Sequence, residues 1–530
     1  MKFCTLTLGC KVNQVETLGM EEILAARGHT LVGVGEGCDV CIVNTCTVTA
    51  ESAGKSRRAV RRMRRLEPDA LIAACGCLSE LEPGTALAAG ADIIGGSGGR
   101  ESFALEIERM AEHRKLSSGD VSHREVIQEG VIQEGVIQED VTQEHINHED
   151  IMKTEGEQPD QTQIANPKLS TLNAQFSTFE ELPPASSTNI ARTRAILKIQ
   201  DGCGNYCAYC IIPYARGHSR SLPPERVIKQ AKELGERGFR EIIVTGIEIS
   251  SYGRDLCIRS TDYFKERGQT AREVPGAARY VLPDTGVNVQ TALADVLPDT
   301  GVNVRSALAD VLRGISTVAP GVRIRLGSLD PGMLDSMTVR EFREIPGLCN
   351  HFHISLQSGC DDTLSRMGRR YSTEDVLASI SALRSSFADC GITADLIVGF
   401  PGETEEEFAK TIAFIRKAAF SDMHIFPYSM RTGTRAADMP GQIAKSIKTE
   451  RARIAADTAA DMALQFRQSQ VGKTVNVLFE RKRDGYWIGH TSNYIEAAVK
   501  NGGPKNSISQ VMLTSVENGI VIGASNVSFE

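Results

Sequence analysis

Three patterns of apolar and polar positions follow one another along the chain. In residues 1–100, short β-branched runs alternate with amphipathic stretches. Residues 3–8, 38–44 and 70–74 read as strands, 15–27 as a helix ending at Gly28, 80–89 as a second helix, and 92–95 as a short apolar run. This alternation predicts a small α/β domain with a parallel sheet. It returns from Arg192 to about Tyr428, with candidate strands at 195–200, 241–245, 322–326, 352–357, 393–400 and 422–426. Helices such as 224–237, 373–384 and 405–418 fall between them. Six βα units in succession predict a parallel barrel, complete or partial. In the tail, 474–480, 486–490, 495–499, 509–514 and 519–522 are short strands separated by Gly, Asn and Asp turns. They predict a small β-barrel.

Two stretches interrupt these patterns. Val126-Ile127-Gln128-Glu129-Gly130 recurs at 131–135, at 136–140 and, more loosely, at 141–145. A five-residue period walks around a helix and changes face on a strand, so neither form gains an apolar stripe. Residues 113–188 therefore read as a disordered acidic insertion. Residues 281–295 are repeated at 296–310, differing only at Gln290/Arg305 and Thr291/Ser306. Two copies suggest a local duplication, placed at 256–305, that lengthens the connection after the second barrel strand. The expected organisation is an N-terminal domain (1–112), the insertion (113–188), a barrel (189–430), a helical connector (431–467) and the small β-barrel (468–530).

Composition adds constraints. With 530 residues, 41% hydrophobic, and a mean hydropathy of −0.18, the chain can bury several cores. No apolar run has the length of a membrane span, and the first residues alternate like a strand rather than a secretory leader. The expected setting is a reducing cytoplasm. The net charge of −8 is uneven, because residues 101–190 hold eighteen Asp and Glu against six Lys and Arg. The rest is net positive, and residues 55–65 carry seven positive charges in eleven positions: Lys55, Arg57, Arg58, Arg61, Arg62, Arg64 and Arg65. Such a run is a footprint for phosphates, or else a solvated helix face.

Fourteen cysteines in a reducing compartment point to metal or catalysis rather than disulfides. Cys203, Cys207 and Cys210 form a C-x3-C-x2-C loop directly after the first barrel strand, on the face where barrel enzymes keep their active sites. Three thiolates there can wrap three irons of a cubane and leave the fourth open. A structural zinc site, the alternative, normally takes four ligands, and only His218 is near enough to be the fourth. Cys10, Cys46 and Cys77 follow strands of the first domain, and in a parallel sheet such ends converge on one edge. They can hold a second cluster, with Cys75 an alternative to Cys77. Cys4, Cys38 and Cys41 read as small buried hydrophobes.

The cysteine loop resembles that of radical S-adenosylmethionine enzymes, and the whole pattern resembles the methylthiotransferase family. The likeness covers 1–112, 190–255 and 305–530. It implies an N-terminal cluster domain, a radical SAM barrel and a C-terminal RNA-binding β-barrel of the TRAM type. It also implies two 4Fe–4S clusters, one on Cys203, Cys207 and Cys210 and one on Cys10, Cys46 and Cys77. Two equivalents of S-adenosylmethionine follow, one cleaved to a radical that takes hydrogen from C2 of an adenine, one supplying the methyl group of the transferred sulfur. Gly246 and Glu248 after the second strand, and Gly399 and Gly402 after the fifth, would bind S-adenosylmethionine; taken alone, a Gly-Pro-Gly loop is a turn. Gly9-Cys10-Lys11-Val12-Asn13-Gln14 resembles the branch acting on N6-threonylcarbamoyladenosine at position 37 of tRNA, and residues 44–49 and Arg216-Gly217 are compatible with it. The resemblance implies tRNA as partner, gripped by the arginine-rich helix and the tail, with a flavodoxin- or ferredoxin-type electron donor, an unidentified sulfur donor and no membrane. The rival readings are methylthiotransferases for isopentenyladenosine 37 or a ribosomal-protein aspartate, and a non-catalytic iron–sulfur RNA-binding protein.

Overall fold

The computed structural model describes residues 1–118, 179–184, 193–256 and 307–525. Strands β1 (Lys2–Thr7), β2 (Thr30–Leu31), β3 (Val40–Thr45), β4 (Leu71–Gly76) and β5 (Ile93–Ile94) form a parallel sheet in the order β2-β1-β3-β4-β5. Every residue of β3 and β4 is buried, because helices cover both faces. Met20 and Leu24 of helix Lys11–Ala26 and Phe103, Ala104 and Ile107 of helix Arg100–Ser118 pack on one face. Ala59, Val60 and Met63 of helix Ala50–Leu66 pack on the other.

Three features differ from the sequence reading. The expected helix at 80–89 is two pieces, Cys77–Leu81 and Pro83–Ala88, because Pro83 lacks an N–H to continue the first and starts the second. Helix Arg100–Ser118 had no counterpart in that reading. Residues 179–184, assigned to a disordered insertion, are packed instead. Leu182 is buried against Gly19, and the Glu181 carboxylate accepts hydrogen bonds from Arg226 (2.7 Å) and Gln230 (2.9 Å). The pentapeptide repeats and nearly all of the duplication lie outside the described residues; the last four residues of its second copy open helix Ala307–Val318.

The central region holds β6 (Arg194–Lys198), a hairpin of β7 (Gln200–Asp201) and β8 (Arg220–Ser221), then β9 (Glu241–Thr245), β10 (Arg323–Leu326), β11 (Ser328–Leu329), β12 (His351–Gln357), β13 (Gly391–Val398) and β14 (Asp422–Pro427). Parallel sheets β6-β9-β10 and β11-β12-β13-β14 are joined where only Gly327 separates β10 from β11. The result is one wall of six parallel segments, a partial barrel. Along β12, Phe352, Ile354 and Leu356 enter the apolar core, while His351 and His353 face a cavity.

Helix Lys445–Gln468 leads to β15 (Thr474–Arg483), β16 (Tyr486–Thr491), β17 (Glu496–Val499), β18 (Ile508–Glu517) and β19 (Ile520–Ser525). These close into a barrel around Val477, Phe479, Val499, Val511 and Leu513. Its 491–494 turn is fastened to the central sheet. Arg325, ion-paired with Glu241 at 2.7 Å, donates to the carbonyls of Thr491 and Ser492 and lies 4.7 Å from the Tyr494 ring centre. That ring also stacks on His351 (4.7 Å) and His490 (4.9 Å).

Candidate functional site

The carboxyl edge of the N-terminal sheet carries the first thiol set. Cys10 is the exposed N-cap of helix Lys11–Ala26, Cys46 follows β3, and Cys77 opens the helix after β4. Gly76 holds Cys77 in place: its φ is +98°, and a side chain there would collide with the backbone of Thr45. The loop bearing Cys10 presses against Cys46, so closely that a Cβ on Gly9 would lie 2.9 Å from its Sγ. Burial pushes the Cys77 thiol up to about 11, and the charges of Cys10 and Cys46 add to that push. Burial also raises Cys46, again with Cys10 contributing. The three thiols therefore sense one another electrostatically. Cys75 points elsewhere, into the apolar core with Phe3, Met20 and Phe103.

The second set lies on the loop after β7. Gly202 (φ +69°) turns the chain where any side chain would strike the His218 carbonyl. The Cys203 N–H then bonds Gly217 O (3.0 Å), and the Cys210 N–H bonds Cys207 O (3.0 Å). Burial pushes Cys203 up to about 11 and Cys210 up to about 12. Arg369 donates to Cys207 Sγ (3.3 Å) and to Asp330 (3.0 Å). Cys77 packs with Ile212 and Ala215 in a cluster that also takes in Cys203 and Cys210. One apolar cluster thus borders both thiol sets.

A buried ionic junction holds them together. Glu16 binds Arg216 (2.7 Å), Arg100 (2.9 Å) and Lys198 (3.1 Å). Arg216 also donates to Asn13 (2.7 Å) and Asp201 (3.1 Å), and Asn13 in turn donates to Leu8 O and Thr45 O, tying the ends of β1 and β3. Burial opposes ionisation of Glu16, but Arg216, Lys198 and Arg100 overcome it and hold the carboxyl well below its usual range. Four cations, Arg100, Lys198, Arg216 and Arg220 (3.7 Å from Asp201), face two carboxylates here, and among the described residues the Nε atoms of Arg100 and Arg216 have no hydrogen-bond acceptor. Of these cations Arg216 acts on Cys46 and Cys77, its charge opposing the rise that burial imposes on both thiols. The sequence reading missed Glu16, Lys198, Arg100 and Arg369; the C-K-V-N-Q-V-E run contains Asn13 and Glu16 but does not show what they bind.

The other expected residues divide. Glu248 follows β9 with its N–H on Gln200 (2.8 Å), and burial together with Asp330 pushes its carboxyl up to about 7. Gly246 packs against the same Gln200 side chain. Gly399 and Gly402 already have acceptors for their amides, Glu403 (2.7 Å) and Gly441 O (2.9 Å), and their loop reaches the cysteine loop through Phe400, which packs with Ala208 and meets the Tyr209 ring edge-on. Their N–H groups are thus bonded within the protein. On helix Ala50–Leu66, Arg58, Arg61, Arg62 and Arg65 are exposed at i, i+3, i+4 and i+7 and share one face; Arg57 is half-buried. Arg64 departs from the expectation. It is a strut, bonded to the carbonyls of Pro68, Ala70 and Gly90 and to Asp92.

A cavity of about 800 Å³ lies inside the partial barrel, rimmed by Cys10, Lys11 and Gln14 and lined by His353, Asp395, His424, Phe426 and Tyr494. Asp395 bonds His353 and His424, each at 3.1 Å.

Residues 197–415 match the radical SAM superfamily, and residues 2–95 match the uncharacterized protein family UPF0004. The threonylcarbamoyladenosine tRNA methylthiotransferase MtaB of Bacillus subtilis is 30% identical over 517 residues, covering 96% of this chain and 92% of that protein. The chain belongs to the radical SAM methylthiotransferases. MtaB of Thermotoga maritima is also 30% identical, over 499 residues (93% of this chain, 89% of that one). A tRNA-2-methylthio-N(6)-dimethylallyladenosine synthase of Pelotomaculum thermopropionicum is 26% identical over 486 residues (91% and 87%). A radical SAM methylthiotransferase uses a 4Fe–4S cluster and S-adenosylmethionine, and the loop of Cys203, Cys207 and Cys210 fits that group. It offers three soft donors on one loop, turned by Gly202 and closed by the Cys203–Gly217 backbone bond, the thiolate set that a cubane with one open iron takes. Among the described residues, no helix is long and apolar enough to cross a membrane.

Proposed function

We propose that this enzyme 2-methylthiolates N6-threonylcarbamoyladenosine at position 37 of tRNA, in the cytoplasm. The observation that carries the reading is one apolar cluster bordering both three-thiol sets beside the Asn13–Glu16–Arg216 junction, with Cys10 on the rim of the cavity. Cys203, Cys207 and Cys210 hold one 4Fe–4S cluster, and Cys10, Cys46 and Cys77 hold a second, whose anionic thiolates at Cys46 and Cys77 the charge of Arg216 offsets. When bound, the first group supplies reductive cleavage of S-adenosylmethionine, with electrons from a flavodoxin- or ferredoxin-type protein. Glu248 and Asp330 offer carboxylates to the methionyl ammonium, which explains a buried acid poised near neutrality. The cavity has the volume of a nucleoside pocket, and the exposed Phe426 ring gives a base a flat surface to stack on. The C-terminal barrel and the exposed arginine face grip tRNA phosphates. A second equivalent of S-adenosylmethionine provides the methyl group.

The test is nucleoside mass spectrometry of tRNA from cells with and without the gene. Loss of the 2-methylthio form, with the parent threonylcarbamoyladenosine accumulating, is expected. A change confined to isopentenyladenosine derivatives or to a ribosomal-protein aspartate would overturn the reading.

A further inference from the structure

Cys4, Cys38 and Cys41 lie away from both thiol sets, in the opposite half of the N-terminal sheet. In the parallel register of β1 and β3, Cys4 stands directly opposite Cys41, so both side chains enter the face covered by helix Ala50–Leu66. Cys38, in the turn leading into β3, folds over the pair. Its Sγ is 3.6 Å from that of Cys4 and 3.8 Å from that of Cys41, and the Cys4 and Cys41 sulfurs are 2.6 Å apart. Ordinary apolar packing does not draw three sulfurs to one point.

We propose that Cys4, Cys38 and Cys41 form a binding site for a soft d10 metal ion, Zn2+ or Cu+. Thiolate is the donor such ions select. With metal–sulfur bonds of about 2.3 Å, sulfurs around one ion stand about 3.8–4.0 Å apart, and two of the three edges already have nearly that length. The third opens by rotating one side chain. The turn that carries Cys38 is fixed by Glu67, whose carboxylate accepts the N–H groups of Gly35 (2.9 Å), Gly37 (3.3 Å) and Cys38 (3.4 Å). An ion has a route in as well. Cys38, half-buried, lines an open cavity of about 680 Å³ whose wall also carries Lys2, Asp39, Glu67 and Asp69. The ion leaves both cluster sets untouched, so its role is to pin β1 to β3 or to buffer metal.

The test uses full-length enzyme with both clusters reconstituted, exposed to zinc or copper(I) without oxygen and passed over a weak chelator. Metal content per chain and X-ray absorption at the bound ion are then measured. One extra ion with three sulfurs at about 2.3 Å is expected, from the zinc arm, the copper arm or both. In Cys38→Ser that ion should be held at least tenfold more weakly, with iron content unchanged. The proposal is overturned if neither ion is retained, if Cys38→Ser retains it as wild type does, or if Cys4 and Cys41 are isolated as a disulfide. Should Cys38→Ser also lose iron, the sulfur count in the wild-type protein decides: three supports the site, and any other number overturns it.

Discussion

The two thiol sets beside the junction are built in opposite ways. Cys203, Cys207 and Cys210 sit within eight residues on a single loop, closed at its base by the short β7–β8 pair and tied to the barrel where the Ala208 N–H donates to Met367 O and the Ala208 carbonyl accepts from the Ala436 N–H. Cys10, Cys46 and Cys77 come from three strand ends and converge only when the whole parallel sheet has formed. The first set is local and the second is a product of tertiary structure. The local set should tolerate changes elsewhere; the assembled one should depend on residues that never touch a metal.

The sharpest way to separate them is to remove each. Replacing Cys203, Cys207 and Cys210 by Ala should abolish S-adenosylmethionine cleavage and lower iron from about eight to about four per chain. Replacing Cys10, Cys46 and Cys77 should remove a similar amount of iron and leave cleavage intact. Iron quantification and deoxyadenosine release measure both. Glu16→Ala comes next. It leaves Arg100, Lys198 and Arg216 buried around a missing anion, a change that costs about 3–5 kcal/mol. The melting temperature should fall, and iron should be lost first from the strand-end set. If both sets lost iron equally, the contrast between them would fail.

A smaller effect lies on the surface. Changing Arg58, Arg61, Arg62 and Arg65 to Glu should weaken tRNA binding and reduce the salt slope by about one unit per lost phosphate contact. Cleavage of S-adenosylmethionine without tRNA should persist. Arg64→Ala, by contrast, should lower stability and leave the salt slope unchanged, because that side chain ties loops together. The mildest effect is a pH dependence. The Glu248 carboxyl, raised to about 7, is largely protonated at pH 6 and ionised at pH 8. S-adenosylmethionine should bind roughly tenfold more weakly at pH 6 than at pH 8. Glu248→Gln should flatten that profile. Stability has the opposite sign: the raised carboxyl favours the folded state below its ordinary value near 4.5, and that contribution is lost as pH rises toward 7. Calorimetry across this range reads both.

The same contrast decides how much was legible in the sequence. Strand Glu241–Thr245 and helix Glu405–Ala418 have the expected limits, because apolar periodicity and a capping threonine are local signals. The C-x3-C-x2-C loop was visible for the same reason. Glu16 was not. It reads as one polar position on an amphipathic helix, and its cations lie 84, 182 and 200 residues away in the chain. Arg64 has the same composition-level signature as Arg61; only Asp92 and the carbonyls of Pro68, Ala70 and Gly90 set it apart. Cys4 and Cys41 look like core hydrophobes until the register of β1 and β3 is known.

The turn at 491–494 gives the C-terminal barrel a mechanical property. With Tyr494 wedged between Arg325 and two histidine rings, and Asn493 bonded to Asp389 O at 3.0 Å, the barrel has no hinge at this point. It acts as a caliper jaw rather than a tether. On the proposed reading, tRNA held on its surface meets the cavity at a set span, so that which nucleotide arrives is chosen by length along the strand before any base edge is read.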